Sequence, residues 1–367
     1  MMPYKISAKV KLYRWMIPIL LIGGLSSCGS SDSNSNSPAP APGYTNYNTV
    51  GAGTASSPYQ LFTAAQVEDL ALNSTASNSY FQNVCFVVMN NIDFGQQALQ
   101  IGTFNGCLNG QNYAFENISI NSSDDAVGVF INLNSQASVT NLSFVNLSIS
   151  ATGSTEVGVI AFNWSTLSEI SVLSGSINGS GSSVGGIVGK NYGTIEKSWV
   201  NGLSISGTNE VGGLVGENDG VIENCYVGAA TVVNATGNAV GGLVGENQNS
   251  ISISYALGSV TGQSVAIGGL VGENVNDLSQ NITNCFAGAS VTGPGSSNID
   301  YVIGEEEGGS TAEGATYVSG IACNPSGSCA STVYSSNPST FYYSSSNLTD
   351  FSTTIWTFNG TTFPTLQ

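Results

Sequence analysis

No histidine occurs among the 367 residues, and lysine and arginine together number six. Without histidine there is no Ser-His-Asp triad, no Cys-His pair and no HExxH zinc helix. Lys5, Lys9, Lys11 and Arg14 crowd the amino terminus, so beyond residue 28 only Lys190 and Lys197 remain, with no arginine. All 23 acidic residues lie in that same stretch, which leaves it with a net charge of −21. Such a field repels nucleic acid and anionic bilayer surfaces, and neither is an expected partner. Charged residues make up 8% of the chain and aromatics 9%. What is plentiful is Gly (46 residues), with Val, Ile, Ser, Thr and Asn, a mixture suited to β-structure.

The longest apolar run, Met16–Leu25 (MIPILLIGGL), is roughly half the ~20 residues needed to span a bilayer. It follows a basic segment and ends in Leu25-Ser26-Ser27-Cys28, which together read as an export signal over residues 1–27. Leu-Ser-Ser-Cys resembles the lipobox of bacterial lipoproteins. That resemblance implies a mature chain beginning at a lipidated Cys28, and Gly29 in place of Asp implies transfer to the outer membrane. The lipid is then the expected link to a membrane. Residues 28–48, rich in Ser, Asn and Pro, read as a flexible tether.

The remainder is repetitive. VGGLVGEN at Val211–Asn218 returns at Val240–Asn247, as IGGLVGEN at Ile267–Asn274, and more loosely as VGGIVGKN at Val184–Asn191. A period in the upper twenties is the mark of a solenoid, in which each copy is one coil that stacks on the next and cannot fold alone. A second block recurs in step: Ile195–Val200, Ile222–Val227, Ile251–Ala256 and Ile282–Ala287. Weaker copies start at Val127 and Val157. Three short β-prone runs per copy, divided by turns, predict an all-β solenoid of triangular coils.

Gly213-Leu214-Val215-Gly216, Gly242-Leu243-Val244-Gly245 and Gly269-Leu270-Val271-Gly272 resemble the GLUG motif of bacterial surface proteins, including adhesins and non-catalytic parts of immunoglobulin A peptidases. Gly186-Ile187-Val188-Gly189 departs at one position. The resemblance implies a right-handed parallel β-helix with an amino-terminal cap and first coils over residues 49–126, GLUG-type coils over 127–320, and an irregular carboxy-terminal cap over 321–367. Ser57–Ser74 resembles the opening helix of that family, and Ile355–Gln367 its closing segment.

Each repeat column has a candidate role. The seventh motif position carries Lys190, Glu217, Glu246 and Glu273, with Glu305 following; stacked carboxylates repel, so the column is either a solvated edge or, at Glu217, Glu246 and Glu273, a Ca²⁺ site. Asn191, Asn218, Asn247 and Asn274 form an expected internal amide ladder at the bends. Trp199, Tyr226, Tyr255 and Phe286 form an aromatic column whose direction period-2 alternation leaves open. Pointing in or stacking on itself, it is core; pointing out, it is a platform for a sugar ring or a host protein. Cys225 and Cys285 lie two coils apart, beyond disulfide reach, and read as buried thiols. Cys85 with Cys107, and Cys323 with Cys329, are the candidate bridges.

No catalytic residues are expected. Lyases of β-helical fold use an arginine or lysine base, and Lys190 and Lys197 alone offer one; acids such as Asp124, Asp125 and Glu305–Glu307 would form a hydrolase pair only by coincidence. The sequence therefore reads as an adhesive or surface-interacting protein anchored in the outer membrane, facing the cell surface or the periplasm. Its partner would be a host or envelope protein or a polysaccharide. The alternatives are a non-catalytic carbohydrate-binding module and a polysaccharide lyase or hydrolase.

Overall fold

The computed structural model describes residues 51–72, 83–153, 155–263, 266–275, 282–294, 298–307, 312–313, 316–318, 323–324, 336–337 and 339–367. The export signal, the tether and Cys329 lie outside them. The chain winds as an all-β parallel solenoid of about eight turns with one short α-helix. Going round one turn, Val188–Asn191 enters what we call the motif sheet, Thr194–Glu196 and Trp199–Val200 form a bent face, and Leu203–Gly207 and Val211–Gly212 supply two further sheets. Val215–Asn218 then pairs in parallel directly on Val188–Asn191. Along the motif sheet the paired rungs are Ile101, Phe130, Ile160, Val188, Val215, Val244, Val271 and Ile303, 27 to 32 residues apart. The weak copies fall into register with the strong ones, Val127 on Val157 and Val157 on Val184.

The interior is a sealed aliphatic column. Val211, Leu214, Val215, Ile222, Val227 and their equivalents on neighbouring coils are 0–1% exposed. The motif glycines have a steric cause rather than a conformational one, since none of them has a positive φ. A Cβ on Gly212 would fall on the carbonyl oxygen of Val215 and the amide nitrogen of Gly245. On Gly216 it would strike the backbone of Val184 and Gly189. The repeat thus keeps glycine where two sheets press backbone against backbone.

Five asparagines, each fully buried, run up the corner after the motif sheet. Asn163 donates to Asn191 (2.7 Å), and Asn191 to Asn218, Asn218 to Asn247 and Asn247 to Asn274 (each 2.8 Å). Each of the first four also donates to the carbonyl two residues on, at Ser165, Gly193, Gly220 and Asn249. A buried amide satisfied in this way contributes on the order of 1 kcal/mol net per bond, and leaving a partner unsatisfied costs ~1–3 kcal/mol.

At the opening end, Tyr59–Leu61 is a strand paired with Phe86–Val88, and the helix spans only Ala64–Leu72. The helix expected over Ser57–Ser74 is therefore preceded by a strand. Thr63 caps it, and Gln66 closes the cap by accepting the amides of Phe62 (2.7 Å) and Thr63 (3.1 Å). Cys85 pairs with Cys107 across adjacent rungs, Cα–Cα 4.4 Å, and the two form a disulfide. Among the described residues no helix is long and apolar enough to cross a membrane.

Candidate functional site

On the bent face a left-handed bend marks seven successive coils: Asn112 (with its neighbour Gln111), Asn141, Glu169, Lys197, Asn224, Ile253 and Asn284, with φ between 47° and 64°. That single bend reverses the alternation of side chains. Ile195 points inward before it; after it Ser198 and Val200 point inward while Trp199 points out. The small residue after the bend holds it. Ser198 donates to the carbonyl of Glu196 (2.8 Å) and Ser254 to that of Ser252 (2.7 Å). The Cys225 and Cys285 thiols do the same to Glu223 (3.3 Å) and Thr283 (3.2 Å). Both thiols are free, buried and hydrogen-bonded like the serines they alternate with, and burial raises each to a pKa of about 12. They are inert spacers rather than nucleophiles.

Turned outward, the aromatic column stacks face to face: Trp199 on Tyr226 (6.0 Å between centroids), Tyr226 on Tyr255 (5.1 Å) and Tyr255 on Phe286 (4.6 Å). It does not meet solvent along its length. The described part of the closing segment, residues 339–367, runs along this flank as a strap and builds a second apolar cluster on it. Trp356 lies against Tyr226 and Tyr255, Tyr342 stacks on Phe286, and Phe351 and Phe363 fill the gaps. Two hydrogen bonds pin the strap: the Trp356 indole donates to Asn224 Oδ1 (3.0 Å), and the Tyr255 hydroxyl donates to the Pro364 carbonyl. Tyr255 and Phe286 are 1% exposed. Of the readings left open for Trp199, Tyr226, Tyr255 and Phe286, self-stacking describes the column, and the protein's own chain lies over Tyr226, Tyr255 and Phe286. Trp199, outside that apolar cluster, borders a cleft of about 120 Å³ between Glu169 and Lys197 on the coils and Thr354, Ile355, Leu366 and Gln367 on the strap.

On the motif sheet, Lys190, Glu217, Glu246, Glu273 and Glu305 stack in register. Glu217 is 9% exposed and bonds Lys190 Nζ at 2.5 Å; Lys190 also reaches Asp219 at 3.4 Å. Gln248 donates to both Glu217 (2.9 Å) and Glu246 (2.7 Å), separating two carboxylates that would otherwise face each other. Ser183 donates to Glu210 (2.7 Å) and more weakly to Glu217 (3.3 Å). Burial first, then the charges of Glu210 and Glu217, lift the Glu246 carboxyl to about 7, against the pull of Gln248. Burial likewise raises Glu156, Glu210 and Asp219. Burial draws the Lys190 ammonium down, but its bond to Glu217 and the charges of Glu217 and Asp219 outweigh this and hold it above its ordinary value. Among the described residues, no group of three or more acidic or thiol side chains is placed to hold a metal ion. Of the three carboxylates weighed for Ca²⁺, Glu217 and Glu246 are bridged by the Gln248 amide.

A second aromatic pair stands on the exposed corner beside this column. The residue after each ladder position occupies one line up the stack, Asn134, Trp164, Tyr192, Asp219 and Gln248, with each amide bonded to the coil before it. Trp164 lies flat on Tyr192, centroids 3.9 Å apart and planes within 10°. The indole is 48% exposed. It borders a cleft of about 330 Å³ whose other walls are Asn105, Asn134, Ser135 and Gln136. Lys190 Nζ sits 5.2 Å from the Tyr192 ring. Sequence reading did not single out this pair, because the position after the ladder residue changes chemistry from coil to coil. The signal was present: aligning on the ladder asparagines puts an indole and a phenol where later coils carry Asp219 and Gln248.

The chain carries GLUG-motif repeats: the family described as "The GLUG motif" matches residues 207–233. No curated protein sequence matches the chain. Among solved structures, the crystal structure of a "putative immunoglobulin A1 protease" from Bacteroides ovatus is similar over 86% of this chain and 94% of that one. The TM-score is 0.55 at 18% identity, a likeness of fold alone.

Proposed function

We propose that this GLUG-motif solenoid is a lipid-anchored outer-membrane protein that serves adhesion or surface interaction and performs no catalysis. The observation that carries the reading is the order of parts: a basic and apolar leader, Leu25-Ser26-Ser27-Cys28, a tether, and then a self-stacking solenoid. Parallel coils stacked strand on strand offer a long lateral surface for contact, and GLUG repeats accord with such use. Support for a non-catalytic role is chemical. Histidine is absent, Lys190 is held by two carboxylates, and the Cys225 and Cys285 thiols are buried.

Mass spectrometry of the mature amino-terminal peptide tests the anchor. A diacylglyceryl-modified, acylated Cys28 is expected, and Cys28→Ala should release the protein from membranes. An unmodified amino terminus elsewhere removes the proposal. Protease shaving of intact cells tests display: the solenoid should be lost while periplasmic proteins survive, and full protection excludes adhesion to a host. The printed name of the Bacteroides ovatus protein brings a second reading, cleavage of immunoglobulin A1. Purified protein should leave immunoglobulin A1 intact; heavy-chain fragments would replace the non-catalytic reading.

A further inference from the structure

We infer that the exposed corner at Trp164 and Tyr192 is a binding site for an uncharged polysaccharide, one sugar ring of which lies on the Trp164 indole. The inference rests on the surface-interaction reading and names its ligand class. Three observations carry it. The indole is 48% exposed although it is fixed flat by stacking on Tyr192 at 3.9 Å, so the platform is rigid before any ligand arrives. The cleft it borders, about 330 Å³, has room for a pyranose ring and is walled by Asn105, Asn134, Ser135 and Gln136. No ionisable side chain lines that cleft.

Each feature matches a part of the ligand. A pyranose presents a face of C–H groups, which the electron-rich face of an indole attracts, and a rim of hydroxyls, which donate and accept. Amides and hydroxyls offer both functions at once and so suit such a rim. The amides are pre-arranged: Asn132 donates to Asn134 Oδ1 (3.0 Å), and Asn134 donates to Asn105. The choice of an uncharged polymer follows from the lining and its surroundings. Among the described residues the nearby cation is Lys190, held by Glu217 and Asp219, and the acidic column of the motif sheet stands alongside. A uronate or sulfated chain would meet repulsion there. Stacking by coils adds direction, because the amides lie on successive rungs below Trp164, so consecutive sugar units would run along the stack axis.

The test uses detergent-solubilised full-length protein titrated with hexasaccharides of gluco, manno, galacto and N-acetylhexosamine configuration, and with a hexauronate. Tryptophan fluorescence and calorimetry are the readouts. At least one uncharged hexasaccharide should bind saturably with perturbed tryptophan emission, unchanged between 20 and 500 mM salt. Trp164→Ala should weaken it at least tenfold and Gln136→Ala several-fold, both with the β-rich circular dichroism spectrum retained. Trp199→Ala should bind as wild type. Binding of none of the uncharged probes, equal binding by Trp164→Ala, or preference for the hexauronate overturns the proposal. Because binding is measured on purified protein, its outcome is independent of whether Cys28 carries lipid or the solenoid faces outward.

Discussion

The molecule stacks aromatic rings in two places and treats them in opposite ways. Tyr226, Tyr255 and Phe286 lie under a strap of the same chain, while Trp164 and Tyr192 stand at an open corner. Ring-on-ring packing costs nothing extra in a parallel solenoid, because register alone places equivalent side chains one rung apart. What separates the two stacks is whether another segment reaches them. The covered one is a structural clasp, and the open one is left for something outside the chain.

The contrast can be broken from the covered side first. Trp356→Ala removes a fully buried indole and orphans Asn224, so a loss of ~3–5 kcal/mol is expected in denaturant unfolding, with exposed Tyr255 and Phe286 promoting association. A loss below 1 kcal/mol would mean that the strap is not a clasp. Acidity sharpens the contrast next. Glu246 has an ordinary value of 4.5 and a folded value of about 7, so the folded protein holds that proton more tightly. Its stabilising contribution is complete below 4.5 and is lost as pH rises through 7. Glu156, Glu210 and Asp219 shift in the same direction. The melting temperature should fall between pH 5 and pH 8, and Glu246→Gln should flatten that slope. The clasp has no part in it, since Tyr226 titrates only near 12. The smallest effect is at the open corner: Trp164→Ala should change stability by less than ~1.5 kcal/mol, the scale of one exposed ring stack.

Much of this architecture could be read from residues alone. VGGLVGEN fixed the rung spacing, and the ladder asparagines announced themselves by standing at one position in the four motif copies from Val184 to Asn274. The direction of the aromatic column was not readable, and the reason is local. A left-handed bend in each of these coils inverts the alternation, and although Asn224 and Asn284 suit that conformation, Lys197 and Ile253 give no hint of it. The strap was legible only as a closing segment. Trp356 meets Asn224 across 132 residues, a contact that no short-range pattern encodes. The glycine pattern pointed to the fold, but its cause, backbone pressed on backbone around Gly212 and Gly216, needed the packed coils. The Trp164 corner escaped for the opposite reason: nothing repeats there.

The clasp also sets where such a protein can change length by tandem duplication. A unit inserted among the early coils, before Trp199, only pushes later ones along the axis by one rung of ~4.8 Å. A unit inserted between Tyr226 and Phe286 would move the anchor points apart beneath a segment of fixed span, pulling Trp356 from Asn224 or Tyr342 from Phe286. Copy number is therefore free at one end of the protein and gauged at the other.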